Sequence, residues 1–197
     1  VQIKLSNKDQ GIFVFQLDQN NYIKFCPKRG GVITNWVSDG KEILYFDEER
    51  FMDKTKSIRG GIPILFPICG NLSTTNSVFG IDYLQLTQHG FARDLPWKYS
   101  FNEKSLCLFL NESKKTKKYY PFDFELRIEV TLKINFLKFV ITINNQTEIA
   151  MPVNFGLHPY FNVSDFKNLE FFDNPLNCQN QEKNIISNTL DELNNFH

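Results

Sequence analysis

The sequence predicts an all-β fold, an antiparallel β-sandwich, on three observations. Apolar residues alternate with polar ones, the alternating stretches are short and separated by turn-forming residues, and no long segment carries apolar residues at helical spacing. Alternation is cleanest over residues 122–132. There Phe122, Phe124, Leu126, Ile128, Val130 and Leu132 are apolar, and every residue between them is polar or charged. A period of two gives a strand one buried face and one wet face.

The other elements follow the same logic in chain order. Similar short strands are expected at residues 11–18, 22–26, 31–37, 41–46, 83–87, 97–101 and 106–110. Turn chemistry separates them, in Gln19-Asn20-Asn21, Ser38-Asp39-Gly40 and Asn102-Glu103-Lys104. Residues 137–143 repeat the pattern of 122–132, and Lys133-Ile134-Asn135 between them can turn, so the two are expected to pair as a hairpin. The lysine-rich run Lys114-Lys115-Thr116-Lys117-Lys118 reads as a solvated hairpin tip, and residues 189–196 form the one helix-like stretch. No repeat, linker or boundary divides the chain, so residues 1–197 are read as one domain.

Composition narrows the function classes. Lys+Arg and Asp+Glu are both 22, a net charge of zero, whereas a nucleic-acid binder shows a basic footprint. Aromatics make up 15% of the 197 residues and Phe alone numbers 20, which suits a packed core rather than disorder. A chain of this size buries about 70% of the surface it exposes when unfolded. No apolar run reaches the roughly 20 residues of a membrane helix. Residues 1–5 lack the basic-then-apolar pattern of a secretory signal, and Cys26, Cys69, Cys107 and Cys178 stand far apart without a Cys-x-x-Cys pair. The expectation is a cytoplasmic protein with reduced thiols, no metal, no nucleic-acid partner and no membrane partner.

Three segments break the alternation. They are Arg59-Gly60-Gly61-Ile62-Pro63-Ile64-Leu65-Phe66-Pro67-Ile68-Cys69-Gly70, Gln88-His89-Gly90-Phe91-Ala92-Arg93-Asp94-Leu95-Pro96-Trp97 and Asn154-Phe155-Gly156-Leu157-His158-Pro159-Tyr160-Phe161. They hold two of the three histidines, and an unperturbed imidazole pKa of about 6.5 suits proton transfer at neutral pH. Arg59 and Arg93 together could grip an anion through paired hydrogen bonds. A lone His or Arg is more often structural; it is their grouping in Gly/Pro-punctuated loops that raises the functional reading. Nucleophile-elbow, Walker and dinucleotide-binding patterns are absent from the sequence.

On these residues the chain resembles the aldose 1-epimerase (mutarotase) family. Residues 59–67, 89–93 and 157–161 supply three motifs in family order, most similar to those of the glucose-6-phosphate 1-epimerase or hexose-6-phosphate mutarotase branch. The resemblance implies a galactose mutarotase-like supersandwich with an open sugar cleft, interconversion of α and β anomers of a hexose or hexose 6-phosphate, and no cofactor. It implies that His158 is the acid that protonates the ring oxygen and that His89 contacts the sugar near the reacting centre. It assigns Arg59 and Arg93 to the phosphate. The partner expected is therefore a small-molecule sugar or sugar phosphate.

The family's general base is a Glu near its C-terminus, with an Asp between it and the second His. Asp165, Glu170, Asp173, Glu182, Asp191 and Glu192 follow the last motif here, none in family context. The sandwich is accordingly expected to be incomplete at its C-terminus, lacking the family's C-terminal third. Impaired turnover is the consequence, since loss of a general base costs about 10²–10⁴-fold in rate. An exposed sheet edge able to pair with a second copy is another. The competing reading is a non-catalytic carbohydrate or sugar-phosphate binding module on the same fold.

Overall fold

Alternation in the sequence becomes two antiparallel sheets in the computed structural model, which describes residues 2–7, 11–72, 77–78, 81–82, 86–165, 178–180 and 185–187. The first sheet runs in chain order through β1 (Gln2–Asn7), β2 (Ile12–Gln16), β3 (Tyr22–Cys26), β4 (Val32–Ser38) and β5 (Lys41–Glu42). Its tight turns have local causes. The Asp18 carboxylate accepts from the Asn20 backbone N–H at 2.8 Å and the Asn21 side-chain amide at 3.0 Å, closing the link between β2 and β3. Asp39 (φ 49°) and Gly40 (φ 74°) both lie in the left-handed region, which the two-residue hairpin between β4 and β5 requires.

Between the sheets in sequence come the short helix α1 (Glu48–Met52), the two-residue strand β6 (Ile64–Leu65), the small pair β7 (Ser77–Val78) and β8 (Ile81–Asp82), and a 3-10 turn at Ala92–Asp94. The second sheet is β9 (Lys98–Phe101), β10 (Leu106–Asn111), β11 (Phe124–Lys133) and β12 (Phe136–Asn145), ordered β12-β11-β10-β9. The expected hairpin is there: Leu132 pairs with Leu137 and Lys133 with Phe136, and Asn135 turns at φ 68°.

Phe15, Ile23, Phe25 and Ile33 from the first sheet pack with Leu106, Leu108, Leu126, Ile128 and Val130 from the second. An aromatic knot of Phe66, Phe91, Tyr120 and Phe124, with ring centroids 5.0–6.1 Å apart, fills the same core. This is the antiparallel sandwich that the alternation predicts. On β11 the apolar face is sealed, while on β12 the corresponding residues are half-buried and Phe136 and Val140 are exposed. Among the described residues β12 pairs only with β11, so one of its edges bears no ladder there.

Some elements differ from expectation. Beyond Lys41–Glu42 the expected strand over 41–46 survives only as isolated bridges at Leu44 and Phe46. Of the strand expected over 83–87, residues 83–85 lie outside the described residues, and Leu86 and Thr87 are not in a strand. The lysine run does join the antiparallel neighbours β10 and β11, but as a helical turn, α2 (Lys114–Lys117). Its cause is the capping box of Ser113 and Thr116, whose hydroxyls and backbone N–H groups bond reciprocally at 2.8 and 3.2 Å. The helix expected over 189–196 lies outside the described residues.

The chain divides into two compact units. Val1–Phe161 holds everything above and β13 (Gly156–Leu157); in Asn162–His197, β14 (Cys178–Asn180) pairs antiparallel with β15 (Ile185–Ser187). No helix among the described residues is long and apolar enough to cross a membrane.

Candidate active site

The three segments that break the alternation are brought together. β6 pairs with β13, Ile64 opposite Leu157 and Leu65 opposite Gly156. The pairing continues past the strands: His158 N–H donates to the Pro63 carbonyl at 3.0 Å, and Tyr160 N–H to the Gly61 carbonyl at 2.9 Å. The second segment docks on the same chain stretch, where Phe91 and Ala92 N–H groups share the Phe66 carbonyl at 3.0 and 3.2 Å. Gly90 permits this approach. Its φ is +72°, and a Cβ there would stand 2.2 Å from the Phe66 carbonyl oxygen.

His89 is held from both sides by Gly70. Its backbone N–H donates to the Gly70 carbonyl at 2.8 Å, and the Gly70 N–H donates to His89 Nδ1 at 2.9 Å. An Nδ1 that accepts a hydrogen bond is unprotonated, so the ring proton sits on Nε2, which is left as a donor. Burial, then the charge of Arg93, then His158 pushes the His89 pKa below its ordinary 6.5, which favours the neutral ring at pH 7. The backbone at His89 is itself left-handed, at φ 67°, an uncommon state for a non-glycine residue. Two hydrogen bonds to one glycine hold it there.

His158 is exposed and lies beside His89, ring centroids 5.9 Å apart at 79°. Its other face stacks on Tyr160, centroids 4.8 Å apart at 24°. The pair of imidazoles therefore presents one donor nitrogen of fixed tautomer next to a solvent-facing ring.

The two arginines are placed differently. Arg93 lies in the 3-10 turn and reaches back along its own segment: Nη2 donates to the Gln88 carbonyl at 2.8 Å, and Nε is 3.8 Å from the Asp94 carboxylate. Its charge contributes to the lowered pKa of His89. Arg59 is exposed, and its carbonyl accepts from Asp47 N–H at 3.0 Å. It precedes Pro63, the residue bonded to His158, by four positions, a span of at most about 14 Å. Among the described residues its guanidinium makes no hydrogen bond or ion pair.

Gly70, Gln88 and Tyr160 are the site residues that the motif reading left without a role. All three sit inside the quoted segments: Gly70 meets His89 across segments, whereas Gln88 holds Arg93 and Tyr160 stacks on His158 within their own, and none of this leaves a mark in composition. Among the described residues no group of three His, Cys, Asp or Glu side chains stands together to hold a metal ion.

Comparison with known proteins gives the arrangement a context. A family model described as Aldose 1-epimerase matches residues 14–192. A protein of Cenchrus ciliaris provisionally named glucose-6-phosphate 1-epimerase is 31% identical over 150 residues, covering 69% of this chain and 42% of its own length. One of Escherichia coli K12 with the same provisional name is 28% identical over 147 residues, covering 70% and 44%. Among solved structures, a protein of Synechocystis sp. PCC 6803 is 41% identical at a TM-score of 0.68, over 75% of this chain and 54% of that one. A galactose mutarotase related enzyme from Lactobacillus acidophilus is 25% identical at 0.63, over 80% and 51%. The sandwich is thus of the galactose mutarotase-like kind, and the chain spans about half the length of the proteins it matches.

Proposed function

The chain belongs to the aldose 1-epimerase family, and from that premise we propose that its converging motifs form the sugar site of an epimerase acting on a hexose or hexose 6-phosphate. The observation that carries the reading is the meeting of His89 and His158, 69 positions apart in sequence.

In this reading His158 gives a proton to the ring oxygen of the sugar as a carboxylate base takes the proton of the C1 hydroxyl. The bond between C1 and the ring oxygen breaks and C1 becomes an aldehyde. Rotation about C1–C2 and the reverse proton transfers close the ring on the other face. The sugar is neither oxidised nor reduced overall, so the residues named need no redox partner. His89 donates from Nε2 to a sugar oxygen, a role its fixed tautomer suits. Stacking on Tyr160 orients His158. Arg93, with Arg59 further along the first segment, meets the phosphate of a 6-phosphorylated substrate. The base is assigned by family likeness to a Glu; of the acidic residues after the third motif, Asp165 alone lies among the described residues.

The test is NMR on glucose 6-phosphate, galactose and glucose, using this chain and its full reading frame. Anomer exchange is read by magnetisation transfer and binding by the His89 and His158 imidazole signals. The proposal expects exchange that His158→Ala abolishes, with both imidazoles shifted by substrate. Saturable binding without exchange in either protein would instead make it a binding module. Sugars that leave both imidazoles unmoved would remove the site assignment.

A further inference from the structure

A cavity of about 360 Å³ opens between the turn after β3 and the helix α1. Lys28, Arg29, Lys54 and Asp94 line it, with Phe51 and Met52. It is braced across its width by one residue. Arg29 donates to the carbonyls of Phe51, Asp53 and Lys56, and its guanidinium lies over the Phe51 ring, 4.7 Å from the centroid. These bonds tie α1 and the segment after it to the turn after β3 and commit three of Arg29's five N–H donors to the protein itself.

The neighbouring charges are also used internally. Lys56 pairs with Asp53 at 3.4 Å, and Arg50 donates to the Ser57 carbonyl at 3.0 Å. Lys28 and Lys54 are exposed on the cavity wall and hold no ion pair among the described residues. Among the described residues the cavity therefore presents two ammonium groups without an ion pair, on a braced frame. Asp94, whose carboxylate also stands 3.8 Å from Arg93 Nε, supplies a carboxylate on the same wall, its side chain 59% exposed. Two ammoniums match a phosphate, which accepts charge-assisted hydrogen bonds from both. A carboxylate that repels a bare anion accepts well from a hydroxyl.

We infer that this cavity is a second anion site, separate from the two histidines, for a small polyol phosphate. The phosphate lies between Lys28 and Lys54, a hydroxyl donates to Asp94, and the carbon chain rests on Met52. Inorganic phosphate binds in the same place, more weakly, because it cannot use Asp94 without cost.

Inorganic phosphate and glycerol 3-phosphate, titrated at constant ionic strength against the ¹⁵N-labelled 197-residue chain, test this. Saturable shifts are expected at the amides of Lys28, Met52, Lys54 and Asp94. In the variant K28Q/K54Q, affinity for both should fall about tenfold or more, the loss expected when charge-assisted hydrogen bonds are removed. Asp94→Asn should weaken glycerol 3-phosphate while leaving inorganic phosphate equal or tighter. Glucose 6-phosphate should still move the His89 and His158 signals in K28Q/K54Q, so failure here and failure of the sugar site are distinguishable. Shifts that rise linearly and spread over all exposed lysines would overturn the inference, as would equal affinity in K28Q/K54Q. Equal responses of the two ligands to Asp94→Asn would overturn the polyol assignment.

Discussion

Gly90→Ala is the sharpest perturbation of the framework under the candidate site. Gly90 sits at φ +72°, and an added Cβ would meet the Phe66 carbonyl oxygen at 2.2 Å, its carbon at 2.5 Å and Pro67 N at 2.7 Å. All three are backbone atoms, so no side chain can swing aside. Gly40 is the matched control: φ is +74°, and the new Cβ would find only Asn20 Oδ1, at 3.9 Å. Both substitutions carry the left-handed penalty of roughly 1–2 kcal/mol. A restricted unfolded chain offsets about 0.4–1 kcal/mol of it. Gly40→Ala should therefore cost about 1 kcal/mol. Gly90→Ala adds the strain of forcing backbones apart, about 1–3 kcal/mol by the scale of overpacked cores, for a total of roughly 2–4 kcal/mol. Urea unfolding of both variants measures the difference directly, as shifts in midpoint at unchanged slope. Equal shifts for the two would refute the claim that contact with Phe66, rather than φ alone, makes this position a glycine.

Three further outcomes are expected. The His89 pKa is held below its ordinary 6.5, so between the two values the unfolded chain binds more protons than the folded one; stability is full above about pH 6.5 and falls as pH drops through the folded-state pKa. His89→Asn, which keeps an acceptor for Gly70 N–H, should flatten that part of a urea-midpoint profile from pH 7.5 to 5, and an unchanged slope would show that another group causes it. Arg93→Ala should weaken glucose 6-phosphate about 10–100-fold more than glucose in calorimetric titrations, the worth of one charge-assisted contact; equal losses would make its bond to Gln88 a structural role. Tyr120 is 1% exposed and its hydroxyl donates to the Pro152 carbonyl at 2.7 Å, so Tyr120→Phe should cost about 1–2 kcal/mol in thermal or urea unfolding, and a neutral result would show that water replaces the bond.

What the sequence alone determined is local or periodic. Residues 122–132 could form only a one-sided strand, because a period of two fixes which side chains share a face before any partner is known. From Phe124 to Leu132 their apolar set is indeed the sealed face of β11. Asp39-Gly40 specified a hairpin turn because few residues tolerate two left-handed positions in succession. The Ser113–Thr116 box was equally local, although the lysines around it pointed to a bare tip. The ordered motifs were legible as a family resemblance, and they named His89, His158, Arg59 and Arg93.

Tertiary structure decided which of these meet. β6 and β13 are two residues each, too short to announce themselves by alternation, and their partners lie more than ninety positions apart. Pairing across that distance depends on the sandwich closing around Phe66 and Tyr120. The tautomer of His89 depends on Gly70, nineteen residues away, whose N–H reaches Nδ1 only after Gly90 lets the segments touch. Tertiary structure also turns Arg93 back onto the Gln88 carbonyl and leaves Arg59 exposed. Side-chain type is written residue by residue, but the proton position on an imidazole belongs to whatever atom the fold places opposite it.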